Sequence, residues 1–127
     1  MRFHDFHLKG YSVLESGARI ILDLAYDYPG VEKEQSRIEF SDVACYHFNH
    51  TTAAIITDIE EVDLKTLVEE QAALLVSFAH KHGLAHWRTD AVEYLGALKS
   101  KGMRAWRLES AIGFSGFVIA RNVVGTP

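Results

Sequence analysis

Residues 63–82 carry the pattern that most restricts the fold of this chain. Their sequence, DLKTLVEEQAALLVSFAHKH, spaces apolar side chains three and four residues apart, as on one face of an α-helix. Asp63 stands at the N-cap position, and Gly83 follows as a C-terminal stop. The helix needs a hydrophobic surface to cover its apolar face, so the remaining chain has to supply one. That face comprises Leu64, Leu67, Val68, Leu74, Leu75, Phe78 and Ala79.

Stretches of alternating apolar and polar residues before this helix predict β-strands. The first two flank Glu15–Gly17, which has the composition of a hairpin turn. The third continues toward Phe48 with a bulge near Asp42, and residues 49–52 have turn composition. The four predicted strands are Phe3–Leu14 (Phe6, Leu8 and Leu14 inward), Arg19–Tyr26, Arg37–Val43 and Ala53–Ile59.

The chain after residue 90 predicts a shorter helix and two more strands. The helix spans Ala91–Lys101 with Val92, Leu95 and Leu98 on its apolar side. The strands are Met103–Ser110 and Phe114–Val123, and the second is apolar on both sides, which predicts a central position. The fold class that follows is α+β. We expect an antiparallel sheet of about six strands (β-β-β-β-α-α-β-β) with one long amphipathic helix packed on one face, as a single domain over residues 1–127.

Composition indicates which class of protein this is and in which compartment we expect it. With 127 residues and 48% of them apolar, the chain can bury a core without covalent staples. Cys45 is the single cysteine, which excludes an intrachain disulfide. The N-terminal sequence MRFHDFHLKG lacks the apolar centre of a signal peptide, and no stretch has the ~18 apolar residues of a membrane span. We therefore expect a cytoplasmic protein without membrane contact.

The charge is unevenly distributed along the chain. Residues 1–63 contain 12 acidic and 5 basic side chains, whereas residues 64–127 contain 5 and 8, and the net charge is −4. Such asymmetry is found in partner-binding surfaces, although solvated strand faces produce it equally well. The acidic balance argues against nucleic-acid binding.

Seven histidines are the one compositional oddity, and they raise the question of a metal site. His80 and His82 lie two residues apart on the predicted helix, so they point in nearly opposite directions. His4 and His7 fall on opposite faces of the predicted first strand. Asp5 and His7 share a face and can form a hydrogen-bonded pair. We predict no metal ion and no cofactor.

Acidic and nucleophilic side chains give no clear catalytic pattern. Asp23, Asp27 and Glu39 would share a sheet face if their strands pair in register. They would then form either a carboxylate cluster or part of the solvated outer face of the sheet. Cys45 lies among apolar residues, which is typical of a buried, unreactive thiol. No P-loop or dinucleotide-binding motif is present. We assign no catalytic residue.

Aromatic residues are the stronger indication of function. The amphipathic side chains that suit a binding surface are Tyr11, Tyr26, Tyr28, Tyr46, Trp87 and Trp106. Trp87 beside Arg88 has the composition of a binding hot spot, although a tryptophan lid over the core is the alternative. The leading hypothesis is a non-enzymatic protein-binding or adaptor domain that acts on a protein partner or self-associates, in one version as an inhibitor of a basic protein. The alternative is a small hydrolase or ligand-binding protein with a His/Asp site, with or without a metal. The candidate binding residues are Trp87, Arg88, Asp5, His7, Asp23 and Asp27.

Overall fold

The computed structural model, which describes residues 3–82 and 91–126, opens with a β-hairpin. Strand β1 (Phe6–Leu14) and strand β2 (Arg19–Tyr26) are joined by the turn Glu15–Gly17. Both the turn and β2 confirm the prediction, with Gly17 in the left-handed region at φ 95°. The first strand begins at Phe6 rather than Phe3, because the chain turns at Asp5, where φ is 65°.

A bulge in β1 changes which of its side chains face inward. The pairing with β2 shifts between Leu8 and Gly10, so Tyr11 lies opposite Leu22 and Val13 lies opposite Ile20. Residues opposite each other in an antiparallel pair project to the same face, and Ile20 and Leu22 are fully buried. Tyr11 and Val13 therefore take the inward positions. The prediction that Leu14 is inward is wrong, because Leu14 lies opposite Arg19 and projects to the other face of the sheet from Val13.

The remaining strands are fewer and longer than predicted. Strand β3 (Glu34–Val62) replaces the predicted third and fourth strands, and strand β4 (Arg104–Thr126) replaces the fifth and sixth. The sheet is antiparallel with the order β1-β2-β3-β4, and the beginning of β1 also pairs with β3. The sheet has four strands instead of six because the predicted breaks between strands are bends within continuous strands. The bulge expected near Asp42 is present, since the register shifts between Val43 and Cys45.

The β3–β4 ribbon bends where its register shifts between His50 and Ile55. At this bend Ala53 has φ 61° and Gly113 has φ 80°. The bend folds the second half of the ribbon over the first, so that Trp106 meets Phe40 with ring centroids 5.6 Å apart. The sheet therefore encloses its own inner core. Its members include Phe6, Leu8, Ile20, Leu22, Leu24, Ile38, Phe40, Ile56, Ile59, Trp106, Leu108 and Val118.

The predicted long helix is divided in two. Helix α1 (Leu64–Glu70) and helix α2 (Ala72–His82) meet at Gln71, whose backbone leaves the helical region at φ −99° and ψ 8°. The helical hydrogen bonds from Gln71 N to Leu67 O and from Leu75 N to Gln71 O persist. The division is thus a local kink, and no glycine or proline in the sequence marks it. Helix α3 (Ala91–Ser100) completes the set, and no helix within the described residues is long and apolar enough to cross a membrane.

The helices cover the outer face of the ribbon and form a second core. Leu64, Leu67, Val68 and Leu75 are buried there as predicted, together with Tyr94 and Leu98 of α3. The prediction for Val92 is wrong, because 80% of it is exposed. Facing the helices, the sheet contributes Cys45, Ala105, Phe117 and Ile119.

Strand β4 is apolar on both sides for a reason other than the predicted one. It is the last strand in the sheet order rather than a central strand. Val118 and Ala120 belong to the inner core, whereas Phe117 and Ile119 belong to the outer core under the helices. Both faces of the strand are therefore covered although one of its edges has no strand partner among the described residues.

The cap of helix α1 predicts how stability responds to acid. The Asp63 carboxylate accepts hydrogen bonds from Thr66 N (3.0 Å) and Thr66 Oγ1 (2.9 Å), and these bonds hold its pKa below the ordinary value of 3.8. Hydrogen bonds from Arg104 likewise lower the pKa of Glu61. Both carboxylates stabilise the fold above their unfolded-state pKa values, and this stabilisation is lost as pH falls through the lower folded-state values.

We expect the free energy of unfolding contributed by these groups to be constant from pH 7 to about pH 5 and to decline below about pH 4. Asp63→Asn keeps a capping acceptor but removes the titrating group, so its decline should be shallower than that of the native chain. Urea unfolding at several pH values measures both curves. Parallel curves for the two proteins would show that the cap carboxylate has no part in the acid response.

Candidate functional site

Five aromatic rings gather at one end of the inner core, and we call Tyr11, Tyr46, Phe48, His50 and Phe114 the aromatic cluster. Tyr11 is central to it. Its ring centroid lies 5.2 Å from that of Phe48, 5.6 Å from that of His50 and 6.3 Å from that of Phe114. Phe48 also contacts Tyr46 at 5.3 Å and Phe114 at 5.1 Å.

The aromatic cluster has a buried base and an exposed edge. We call this edge, formed by Tyr11 and His50, the rim. Phe114 is only 5% exposed, whereas Tyr11 is 37% exposed and His50 is exposed. The next apolar residues of β1, Val13 and Leu14, are each 38% exposed. A run of large apolar side chains therefore reaches solvent along the second half of β1, which is the kind of surface that protein interfaces use.

The backbone beside this rim is also incompletely paired. On the edge away from β2, the described part of the chain pairs only Phe6 and His7 of β1, with Ile56 and Ile55 of β3. Beyond His7 the two strands separate, and the aromatic cluster lies between them. Beyond His7, no strand of the described chain pairs with the backbone groups on this edge of β1.

The turn that follows the rim has a strained backbone. Glu15 and Ser16 have φ values of 54° and 57°, a region that residues other than glycine rarely adopt. The 3₁₀ turn Glu15–Gly17 buries none of its residues. Such strain costs about 1–3 kcal/mol for each residue and is concentrated at functional sites.

Asp5 and His7 do not combine into the predicted pair in the contacts that the structure shows. The Asp5 carboxylate lies 3.5 Å from His4 Nε2, and its backbone carbonyl accepts a hydrogen bond from the Tyr28 hydroxyl. The His7 ring stacks on Tyr28 with centroids 4.8 Å apart. His7 Nδ1 is buried and has no hydrogen-bond partner among the described residues. The two residues are neighbours in sequence with separate structural roles.

Asp23 and Asp27 each form an ion pair across the first three strands. Asp23 Oδ1 accepts a hydrogen bond from Arg37 Nε at 3.1 Å, and Asp27 lies 3.2 Å from Lys9 Nζ. The side chains of all four residues are between 42% and 60% exposed, so these pairs contribute little to stability. Within the described residues, no three histidine, cysteine or acidic side chains are grouped closely enough to bind a metal ion.

Ion pairs also account for part of the charge asymmetry. Arg104 donates two hydrogen bonds to Glu61, at 2.8 and 2.6 Å, and Arg121 lies 3.7 Å from Asp42. In each pair an acidic residue of β3 meets a basic residue of β4, and the two come from the acidic and basic parts of the sequence. The asymmetry therefore partly reflects complementary charges on paired strands.

The single thiol is buried and protonated at neutral pH. Burial raises the pKa of Cys45 to about 11, and a hydrogen bond from the Tyr94 hydroxyl offsets this only in part. Burial, the nearby thiolate charge and the same hydrogen bond raise the pKa of Tyr94. Two neutral groups buried side by side suit packing rather than nucleophilic catalysis.

Trp87 and Arg88 lie outside the described residues. His80 and His82 lie in α2, but their side chains are not described. Of the residues now assembled in the aromatic cluster, Tyr11 and Tyr46 were aromatic candidates from sequence composition. Phe48, His50 and Phe114 were missed because each had been assigned to a separate strand or turn. Only the long-range pairing of His50 with Phe114 reveals that they adjoin.

Comparisons with models of protein families, with curated proteins and with solved structures find no match to this chain. Its function is therefore inferred from the arrangement of its own residues.

Proposed function

We propose that this chain is a non-enzymatic protein-binding domain that receives an extended, apolar segment of a partner protein along the open edge of β1. The observation that carries the proposal is the exposure of Tyr11, Val13 and Leu14 beside an unpaired strand edge. We place the domain in the cytoplasm, where a free thiol such as Cys45 is usual.

Two physical features support recognition of a strand rather than of a globular surface. The open edge supplies backbone hydrogen-bonding groups, which an added strand satisfies whatever its sequence. The aromatic cluster supplies sequence preference, because apolar side chains at alternate positions of the added strand would cover Tyr11 and Val13. Large aromatic side chains of this kind dominate binding energy at interfaces.

The negative charge of Glu15 favours a basic protein as the partner. Glu15 follows the exposed Leu14, and the described residues provide no ion pair for it. A partner with a basic residue next to its apolar segment would place that charge beside Glu15. This version corresponds to an inhibitor of a basic protein, and it depends on the strand-edge proposal being correct.

The variant Val13→Lys tests the proposal, because a charged side chain on an edge strand opposes the addition of another strand. Random twelve-residue peptides displayed on phage are selected on the native protein, and the enriched peptides are synthesised. We expect alternating apolar residues in these peptides and micromolar dissociation constants. Binding to Val13→Lys should be at least about tenfold weaker, a loss of about 1.4 kcal/mol.

Val92→Lys is the matched control, because Val92 is a valine with 80% exposure on helix α3, away from the rim. It should bind the peptides as the native protein does, and amide shifts on binding should cluster at residues 8–14 and 44–50. Equal binding by Val13→Lys, or no enriched peptide, would refute the proposal. A native dimer that Val13→Lys dissociates in sedimentation would instead make this edge a contact between two copies.

A further inference from the structure

A cavity separate from the aromatic cluster lies between helix α3 and the sheet. Its volume is about 270 Å³. The walls are largely apolar and come from the bulge of β3, from α3 and from the residue that precedes β4. They include Val43, Ala44, Tyr94, Ala97, Leu98 and Met103.

Small side chains leave this space open. Ala44 and Ala97 lie on facing elements, β3 and α3, and a third alanine, Ala18, lines the cavity from the hairpin. Tyr94 is fully buried, and its hydroxyl is directed to the Cys45 thiol. The walls therefore present carbon atoms and a neutral phenol, a suitable environment for the apolar part of a small ligand.

The mouth of the cavity carries more positive than negative charge. Asp42, Lys101 and Arg121 line it. Arg121 is held in place by a 3.1 Å hydrogen bond to Lys101 O and by its 3.7 Å approach to Asp42. No carboxylate within the described residues lies in ion-pair distance of the Lys101 ammonium group, which leaves one positive charge at the mouth without a counterion.

We propose that this cavity binds a small apolar carboxylate, with its hydrocarbon part between Ala97 and Met103 and its carboxylate at Lys101. An apolar enclosure with few polar groups at one end is the usual construction of a small-molecule site. The volume restricts the ligand to about one aromatic ring or one short acyl chain. Binding here does not depend on the strand-edge function, because the two sites use different residues.

Octanoate and 1-octanol are the probes, since they share a chain and differ in charge. Protein labelled with ¹³C at methionine methyl groups is titrated with each. Met103 lines the cavity, and the other methionine, Met1, serves as an internal reference. We expect octanoate to shift the Met103 signal in a saturable manner with a dissociation constant of about 0.1–1 mM. 1-Octanol should bind about tenfold more weakly.

Two variants, with one control variant, separate the roles of charge and space. Lys101→Gln should weaken octanoate binding about five- to tenfold and leave 1-octanol binding unchanged, whereas Lys99→Gln, at an exposed lysine near the end of α3 and two residues before Lys101, should change neither. Ala97→Leu should abolish binding of both probes by filling the cavity. Its melting temperature checks that it is folded, and the two lysine variants test the proposal independently of it.

Three results would overturn the proposal. The first is a Met103 signal that does not saturate or moves together with Met1. The second is an equal loss of octanoate binding in Lys99→Gln and Lys101→Gln. The third is unchanged binding by folded Ala97→Leu.

Discussion

Replacing Trp106 by alanine is expected to lower the free energy of unfolding by about 3–5 kcal/mol, the usual cost of removing a buried tryptophan. Trp106 is 3% exposed in the inner core, and its ring meets Phe40 at 5.6 Å. The Arg104 guanidinium lies 5.0 Å from the ring centroid, so the substitution also removes a cation–π contact. Small domains are stable by only about 5–15 kcal/mol, so the variant should be close to unfolding.

Urea unfolding followed by far-ultraviolet circular dichroism measures this effect without relying on the fluorescence of the residue removed. Ile112→Ala is the control, because Ile112 is an apolar residue of the same strand with 53% exposure. Its effect should stay within about 0.5 kcal/mol. Trp106→Phe keeps a ring against Phe40 and should fall between the two. A loss below about 1 kcal/mol in Trp106→Ala would mean that the ribbon does not fold over the sheet.

Gly116→Ala is expected to cost about 2–3 kcal/mol, because the new Cβ would collide with the neighbouring strand. A Cβ at this position lies 2.7 Å from Phe48 Cδ1 and directly against the carbonyl oxygen of His47. A backbone carbonyl within a ladder cannot move aside as a flexible side chain can. The strands would have to separate beside the aromatic cluster, so binding at the rim should weaken as well.

Gly96→Ala is the matched control for Gly116→Ala. Gly96 lies in helix α3, and no atom comes within 4 Å of the position that its Cβ would occupy. Alanine there should stabilise the protein by about 0.5–1 kcal/mol, because it restricts the unfolded chain and favours the helix. Melting temperatures of the two variants should therefore move in opposite directions. A shift of the same sign in both would contradict the close approach of the strands at Gly116.

Local pattern was sufficient to predict the elements whose contacts are local. The strand Arg19–Tyr26, the turn after Leu14 and the cap at Asp63 all depend on residues close in sequence. The length of β3 and β4 could not be predicted in this way. The turn-forming residue Asn49 remains extended because it pairs with Ser115 of β4, and that partner lies more than fifty residues further along the chain.

The candidate site was predictable only in its composition. Tyrosine content indicated a binding surface, but the individual residues depend on the bulge at Lys9, which turns Tyr11 and Val13 to the same side as Phe48. A shift of one residue in a strand exchanges its two faces, and no feature of the local sequence indicates this bulge. The acidic candidates Asp23 and Asp27 failed to assemble into a site because each meets a basic residue across the sheet.

The β3–β4 ribbon has a consequence for the order in which the chain folds. Its innermost pair joins Val62 to Ala105, and its outermost joins Arg37 to Thr126. Pairing of residues so far apart in sequence is slow, because loop-closure entropy is lost before the contacts form. The β1–β2 hairpin and the three helices need no such closure. We therefore expect the pairing of β4 with β3 to limit the rate of folding. Until that pairing forms, β3 exposes a strand edge through which newly made chains can associate.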